Sequence, residues 1–220
     1  PFFKIGSGEF SDFWFIDKLA TLNKPVIFSS GMSTKEEIIR NVSHFKKNGL
    51  DFALLNCLSE YPPKLEDLNL KFINELINMF PDIVIGHSDH TQTIFSSLLA
   101  TGFGAKIIEK HITLSEFVDG PDKLVSLNHN DFKKLVSDCK NINICLGENK
   151  KIHEDEVKVR KWAYRSIVST RDIMKGDTIT LDDIQSKRPS GGIPSEEYLT
   201  IIGKVASEDI LKNTQINHSQ

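Results

Sequence analysis

The chain has 220 residues, 39% of them apolar and 26% charged, which is the composition of a globular protein. A formal net charge of −3 speaks against nucleic acid or an anionic membrane as partner, and no apolar run approaches the length of a membrane span. Three cysteines (Cys57, Cys139, Cys145) without CxxC spacing speak against a disulfide framework or a thiol-rich zinc site, and fit a reduced, cytoplasmic setting. The chain opens on Pro1 rather than methionine and enters a strand within a few residues, so it reads as clipped.

Phe2 to Ile5 reads as a short apolar strand, and Gly6-Ser7-Gly8-Glu9 as the tight loop after it. Phe10 to Thr21 carries Phe13, Phe15, Ile16 and Leu19 at helical spacing. Pro25 to Phe28 is a second strand, ending in Ser29-Ser30-Gly31. Ser33 and Glu36 have capping-box spacing and open a helix through Ile38, Ile39, Val42 and Phe45 that stops at Asn48-Gly49. Phe52 to Cys57 is a third strand, followed by Leu58-Ser59-Glu60-Tyr61-Pro62 and a helix with Leu68, Phe72, Leu76, Ile77 and Phe80 on one face. Two β-branched runs follow, Ile83 onward into Gly86-His87-Ser88-Asp89-His90-Thr91, and Ala105 onward into Glu109-Lys110-His111-Ile112-Thr113. Between them Ile94, Leu98 and Leu99 mark a helix closed by Gly102 and Gly104, and a last helix covers about Asp131 to Lys140.

Near-continuously apolar strands alternating with helices imply a parallel sheet with right-handed crossovers. A closed barrel of eight βα units needs about 250 residues, so five units are an open sheet or the last part of a barrel. Polar residues follow every strand: Ser7 and Glu9, Ser29 and Ser30, Ser59 and Glu60, Ser88 and His90, Glu109 and His111. An open sheet concentrates its site at one switch point, whereas a barrel mouth is fed by consecutive strands. The expected fold is therefore the C-terminal part of a TIM (β/α)8 barrel, residues 1–147.

His90 and His111 stand 21 positions apart, one βα repeat, at matching places on neighbouring strands. Neutral imidazoles suit a divalent transition metal and leave coordination positions open for substrate. On spacing alone, a metal pair and two unrelated strand-end histidines are equally good readings. Strand alternation points Ser88 with His90, and Glu109 with His111, while His87 points oppositely, which favours His90 over His87 as a ligand.

Residues 148–165 are charge-rich and read as a solvated linker able to span about 50 Å if extended. Residues 166–220 carry short β-rich pieces and turn signals, including Lys175-Gly176-Asp177 and Arg188-Pro189-Ser190-Gly191-Gly192. They read as a small, mostly β domain, small enough to lean on a partner surface for stability.

Phe3-Lys4-Ile5-Gly6-Ser7-Gly8-Glu9, Ser30-Gly31-Met32-Ser33-Thr34, Cys57-x-Ser59-Glu60-Tyr61-Pro62, Gly86-x-Ser88-Asp89-His90-Thr91, Glu109-Lys110-His111-Ile112-Thr113 and Gly120-Pro121-Asp122 resemble, in order, the motifs of the N-acetylneuraminate (sialic acid) synthase family. Lys175-Gly176-Asp177 and Lys187-Arg188-Pro189 resemble that family's antifreeze-like (SAF) domain. Relative to the family, about the first three βα units of the barrel are absent.

The resemblance implies condensation of phosphoenolpyruvate with an N-acetylated amino sugar, in its open-chain aldehyde form, to a nine-carbon 2-keto sugar acid and phosphate. It implies a divalent metal, usually Mn2+, held by His90 and His111. Lys4, Ser7, Ser29, Ser59 and Ser88 fall where the family binds phosphoenolpyruvate; some members have asparagine at the position of Ser59. Glu9, Tyr61 and Asp122 fall where the family holds the sugar and moves protons. Arg188 matches an arginine that the small domain presents to the other subunit's active site in a domain-exchanged homodimer.

Each residue also has a plainer reading: Lys4 as a strand-end lysine, Ser29 and Ser30 as turn residues, Tyr61-Pro62-Pro63 as a rigid turn, Cys57 as a small buried hydrophobe and Arg188 as a solvated loop arginine. His44, His129, His153 and His218 receive no role. The competing functions are a legionaminic or pseudaminic acid synthase with the same chemistry, or an incompetent fragment that only binds metal or anions. On its own, the chain is expected to be inactive.

Overall fold

Five short strands, β1 (Phe3–Ile5), β2 (Val26–Ser29), β3 (Phe52–Cys57), β4 (Val84–Asp89) and β5 (Ile108–Lys110), pair in parallel and in chain order in the computed structural model, which describes residues 1–114 and 120–219. The connecting helices are α1 (Phe13–Ala20), α2 (Lys35–Lys47), α3 (Phe72–Met79) and α4 (Phe95–Gly102), with α5 (His129–Leu146) after the last strand. Val26, Phe28, Leu54 and Ile85 join Phe10, Ile16, Ile38, Phe45, Ile73 and Leu76 in one core between sheet and helices. Its centre is aromatic: Phe28 stacks on Phe45 at 4.4 Å, and Phe10 meets both rings edge-on.

With alternate strand residues committed to that core, Lys4, Ile27, Ser29, Leu55, Cys57, Ser88 and Glu109 face the opposite side. Neighbouring strands stand about 4.8 Å apart, so in a flat sheet β1 and β5 would be separated by about 19 Å. Yet Lys4 Nζ on β1 lies 3.5 Å from Glu109 Oε2 on β5. The sheet is therefore curled far enough for its two edge strands to exchange an ion pair across the concave face. Curvature of that degree is the geometry of a barrel segment, as expected from the polar strand ends. Gly86 is needed inside the curl, because a Cβ there would come within 2.4 Å of Leu55 and 2.5 Å of the Ile107 carbonyl.

Several boundaries differ from expectation. The capping box of α2 is Thr34 and Glu37, one residue later than Ser33 and Glu36: Thr34 Oγ1 accepts from Glu37 N and Glu37 Oε2 from Thr34 N. Met32 takes a left-handed φ of 60°, and this turn delays the helix start. Helices α1, α3 and α4 are shorter than the periodicity predicts, and α5 is longer.

The chain divides into two units, Pro1–Glu148 and Asn149–Gln220. The segment read as a linker contains a helix, α6 (Glu154–Ala163), none of whose residues is buried. Acidic Glu154, Asp155 and Glu156 in its first turn and basic Arg160 and Lys161 in its last complement the helix dipole, so local electrostatics favour it without an apolar stripe. The second unit then forms the antiparallel pair β6 (Ser166–Ser169) and β7 (Ile184–Lys187), extended by isolated bridges such as Ile173 with Ile210 and Thr178 with Val205. Its core is Ala206 with eight isoleucines, among them Ile167, Ile173, Ile179 and Ile216. Gln220, the last residue of the expected small domain, lies outside the described residues. Among the described residues no helix is long and apolar enough to cross a membrane.

Candidate active site

The carboxyl ends of all five strands contribute to one cluster. Lys4 Nζ donates to Ser29 Oγ and to the Ile5 carbonyl, both at 2.9 Å, and pairs with Glu109. Ser88 Oγ donates to the other oxygen of Glu109 at 2.7 Å. Beside them, Ser7 Oγ accepts from the Gly31 amide at 3.0 Å and lies 3.7 Å from Cys57 Sγ, which in turn is 3.9 Å from Ser59 Oγ. Gly31 is what lets these groups converge. A Cβ at that position would meet Ser59 Oγ at 2.2 Å and Ser7 Oγ at 2.7 Å. Hydroxyls, a backbone amide and a lysine charge on a concave surface are the donor types that cradle an anion, and here the Glu109 carboxylate engages Lys4 and Ser88.

The histidines stand at its rim. The rings of His90 and His111 are 5.3 Å apart, with Tyr61 tilted against His90 at 4.2 Å and edge-on to His111 at 5.8 Å. His90 Nδ1 lies 2.8 Å from the Leu58 carbonyl, which can only accept, so in the neutral ring Nδ1 carries the proton and Nε2 the lone pair. His111 Nδ1 faces Asp122 Oδ2 at 3.6 Å. Nothing among the described residues bonds Nε2 of either ring. Two imidazoles oriented from behind by oxygen atoms, with Nε2 unengaged, are the donor arrangement a divalent metal requires. No third His, Cys, Asp or Glu among the described residues completes a larger ligand group. The pair offers two nitrogen donors, and an ion held by them would keep its other positions open.

His87, three residues earlier, is 1% exposed, its Nδ1 bonded to the Asn56 carbonyl at 3.0 Å and its Nε2 unpartnered. It lies on the opposite face, as alternation requires, and burial holds its pKa below the ordinary value. Around the site the charges are coupled. Burial disfavours charge on both His90 and His111; Cys57, the Leu58 carbonyl and Asp89 more than offset it for His90, whose pKa is raised, whereas the neighbouring His90 keeps His111 lowered. Burial pushes the Cys57 thiol up, but hydrogen bonds with His90, Ser7 and Ser88 outweigh it and leave the thiol below its usual value.

Of the residues expected at the site, Lys4, Ser7, Ser29, Ser59, Tyr61, Ser88, His90, His111 and Asp122 are brought together. Glu9 stands on the first loop, in the 3₁₀ turn Ser7–Glu9, with its side chain exposed and bonded to none of the others. Arg188 belongs to the second unit, exposed at the end of β7, its guanidinium 5.4 Å from the Trp162 ring. Two further residues belong to the cluster. Cys57 is no inert core thiol: it pairs in register with Ser88 and faces the cradle. Glu109 joins Lys4 to Ser88. Strand parity, applied to β3 as it was to β4 and β5, identifies Cys57.

A curled parallel sheet with its polar cluster at the strand carboxyl ends, followed by a small isoleucine-cored β unit, defines a two-part α/β protein of barrel type. Residues 1–151 match the NeuB family and residues 164–219 the SAF domain, and the chain belongs to the NeuB family. It is 36% identical to pseudaminic acid synthase of Helicobacter pylori, over 99% of this chain and 64% of that protein. It is also 36% identical to N,N'-diacetyllegionaminic acid synthase of Campylobacter jejuni, over 94% of this chain and 63% of that protein. The crystal structure of a sialic acid synthetase from Leptospira borgpetersenii superposes with a TM-score of 0.66 at 35% identity, covering 71% of this chain and 55% of that one. The chain thus spans about three fifths of the length of the curated relatives it matches.

Proposed function

We propose that this chain supplies the metal and phosphoenolpyruvate sites of a sugar-acid synthase, which joins phosphoenolpyruvate to an N-acetylated amino sugar with release of phosphate. The observation that carries the reading is the convergence of Lys4, Ser7, Ser29, Ser59 and Ser88 on one concavity beneath His90 and His111. Phosphoenolpyruvate is a dense anion, and in this reading Lys4 neutralises it while the hydroxyls and the Gly31 amide orient it. His90 and His111 would hold a divalent ion, manganese by family resemblance, through Nε2. Such an ion, when bound, supplies Lewis-acid polarisation of the sugar's aldehyde. Asp122, behind His111, and Glu9, on the first loop, are the carboxylates assigned to hold sugar hydroxyls and to move protons as the enol carbon attacks and water adds at C2. Tyr61 walls the sugar side.

The named relatives act on different sugars at nearly equal identity to this chain, 36%, 36% and 35%, so the reading stops at the class of N-acetylated amino sugar. The test uses a polypeptide extended to the relatives' full length. Phosphate release should require phosphoenolpyruvate, Mn2+ and one of N-acetylmannosamine or its diacetylated analogues. His90→Ala and His111→Ala should each abolish it, while His87→Ala should leave metal dependence intact. Equal loss in all three variants would remove the metal assignment.

A further inference from the structure

Directly behind the two imidazoles lies a buried ion pair that no step above uses. Asp89 and Lys110 are aligned in register on β4 and β5, each immediately before one of the histidines, and their side chains are 0% exposed. Adjacent strand residues point to opposite faces, so the pair sits on the helix side while His90 and His111 look into the mouth.

Its bonds wrap the backbone on both sides of His90. Asp89 Oδ1 accepts from the Thr91 amide at 2.7 Å, and Lys110 Nζ donates to the Thr91 carbonyl and to Thr91 Oγ1. Asp89 Oδ2 accepts from Ser96 Oγ and Ser97 Oγ of α4, both at 2.5 Å, and Lys110 Nζ is 3.3 Å from Oδ1. Thr91 Oγ1 also lies 2.7 Å from Ser96 Oγ. The residue before His90, the residue after it and the residue before His111 are thus tied into one buried network anchored on a helix. A charge pair in that position costs desolvation, and mere strand cohesion would be served as well by apolar side chains.

We propose that Asp89 and Lys110, with Ser96 and Ser97, are positioning residues that set the separation and orientation of His90 and His111 for metal binding. The inference rests on the metal reading of those histidines. Outer partners of metal ligands typically change affinity about 10- to 100-fold when removed.

The test is titration of the chain with Mn2+, free ion being read from its EPR signal, alongside thermal melts. His90→Ala should abolish tight binding. Ser96→Ala/Ser97→Ala, and the paired neutral replacement Asp89→Asn/Lys110→Met, should melt as folded proteins and weaken Mn2+ binding by about 10- to 100-fold. The double serine variant keeps both charges and serves if the paired replacement does not fold. Wild-type affinity in either folded variant, with His90→Ala still losing it, overturns the positioning role and leaves the metal reading standing. Wild-type affinity in His90→Ala itself overturns the metal reading, and this inference falls with it.

Discussion

Gly31 decides at single-residue scale whether the cradle can form. Its amide donates to Ser7 Oγ, and the space a methyl group would fill is taken by the hydroxyls of Ser7 and Ser59. Both clashing atoms end short side chains that can rotate, so an added Cβ displaces hydroxyls rather than backbone. Gly31 is itself buried, so Gly31→Ala is expected to cost about 1–3 kcal/mol through overpacking and to lower the melting temperature without abolishing the fold. It should raise KM for phosphoenolpyruvate at least about tenfold, the loss of one charge-assisted contact to a dense anion. Steady-state kinetics and calorimetry on the same preparation check both halves. An unchanged KM would mean that Ser7 and Ser59 do not hold the anion. Cys57, at the floor of the same cradle, shows what sequence reading leaves out at this scale. A cysteine at a strand end is read by composition as core, and only its register with Ser88 turns it toward the site.

At the scale of elements, what was legible depended on whether the signal was local. The five strands announced themselves by β-branched runs ending in polar clusters, and the ion pair between Lys4 and Glu109 confirms the curvature those clusters implied. The α2 cap was ambiguous in principle: Ser33 with Glu36 and Thr34 with Glu37 are overlapping frames of one motif, and the turn at Met32 chooses between them. Helix α6 has no apolar stripe to set it apart from a charged linker in the sequence, although the charges at its two ends are legible there. The network of Asp89 and Lys110 was invisible because half of its partners come from α4. In the second unit, Asp183 is a comparable case. It is buried, accepts from Thr180 N at 2.9 Å, from Thr180 Oγ1 at 2.7 Å and from Arg171 Nε at 2.6 Å. Burial would raise its pKa, but Thr180 and Arg171 outweigh it and hold it below the ordinary carboxylate value. A carboxyl depressed on folding adds stability above its unfolded pKa, near 3.9, which is lost as pH falls through the lower folded value. Asp183→Asn should cost about 1–3 kcal/mol at neutral pH and flatten the acid limb of stability below about pH 4. Amide exchange at Ile173 and Ile179, whose N–H groups bond Ile210 and Lys204 carbonyls, reports on this unit directly. Parallel acid loss in wild type and variant would show that Asp183 is not the titrating group.

At the scale of the whole molecule, Arg188 is set apart by how it is presented. Its loop is fastened at three points: the Pro189 carbonyl accepts from Ser166 Oγ and Gln215 Nε2, and Ser190 N and Oγ both donate to the Lys161 carbonyl at the end of α6. Gly192 keeps the loop close to its neighbour, since a Cβ there would meet the Ile216 carbonyl at 2.6 Å. With Trp162 beneath the guanidinium, Arg188 is held outward on a fixed mount, the preorganisation expected of a residue that serves a site elsewhere. In the homodimer that the family resemblance implies, that site would lie in a neighbouring subunit. The prediction is complementation between two dead proteins of full relative length. Arg188→Ala and His111→Ala homodimers should each be nearly inactive. Co-expression should restore up to about a quarter of wild-type activity, since random pairing makes half the dimers mixed and each mixed dimer has one site with both residues; this assumes independent sites. Tag pull-down verifies that mixed dimers form. If they form and activity does not return, Arg188 acts within its own chain or has no part in the reaction, and the α6 mount serves only the local fold.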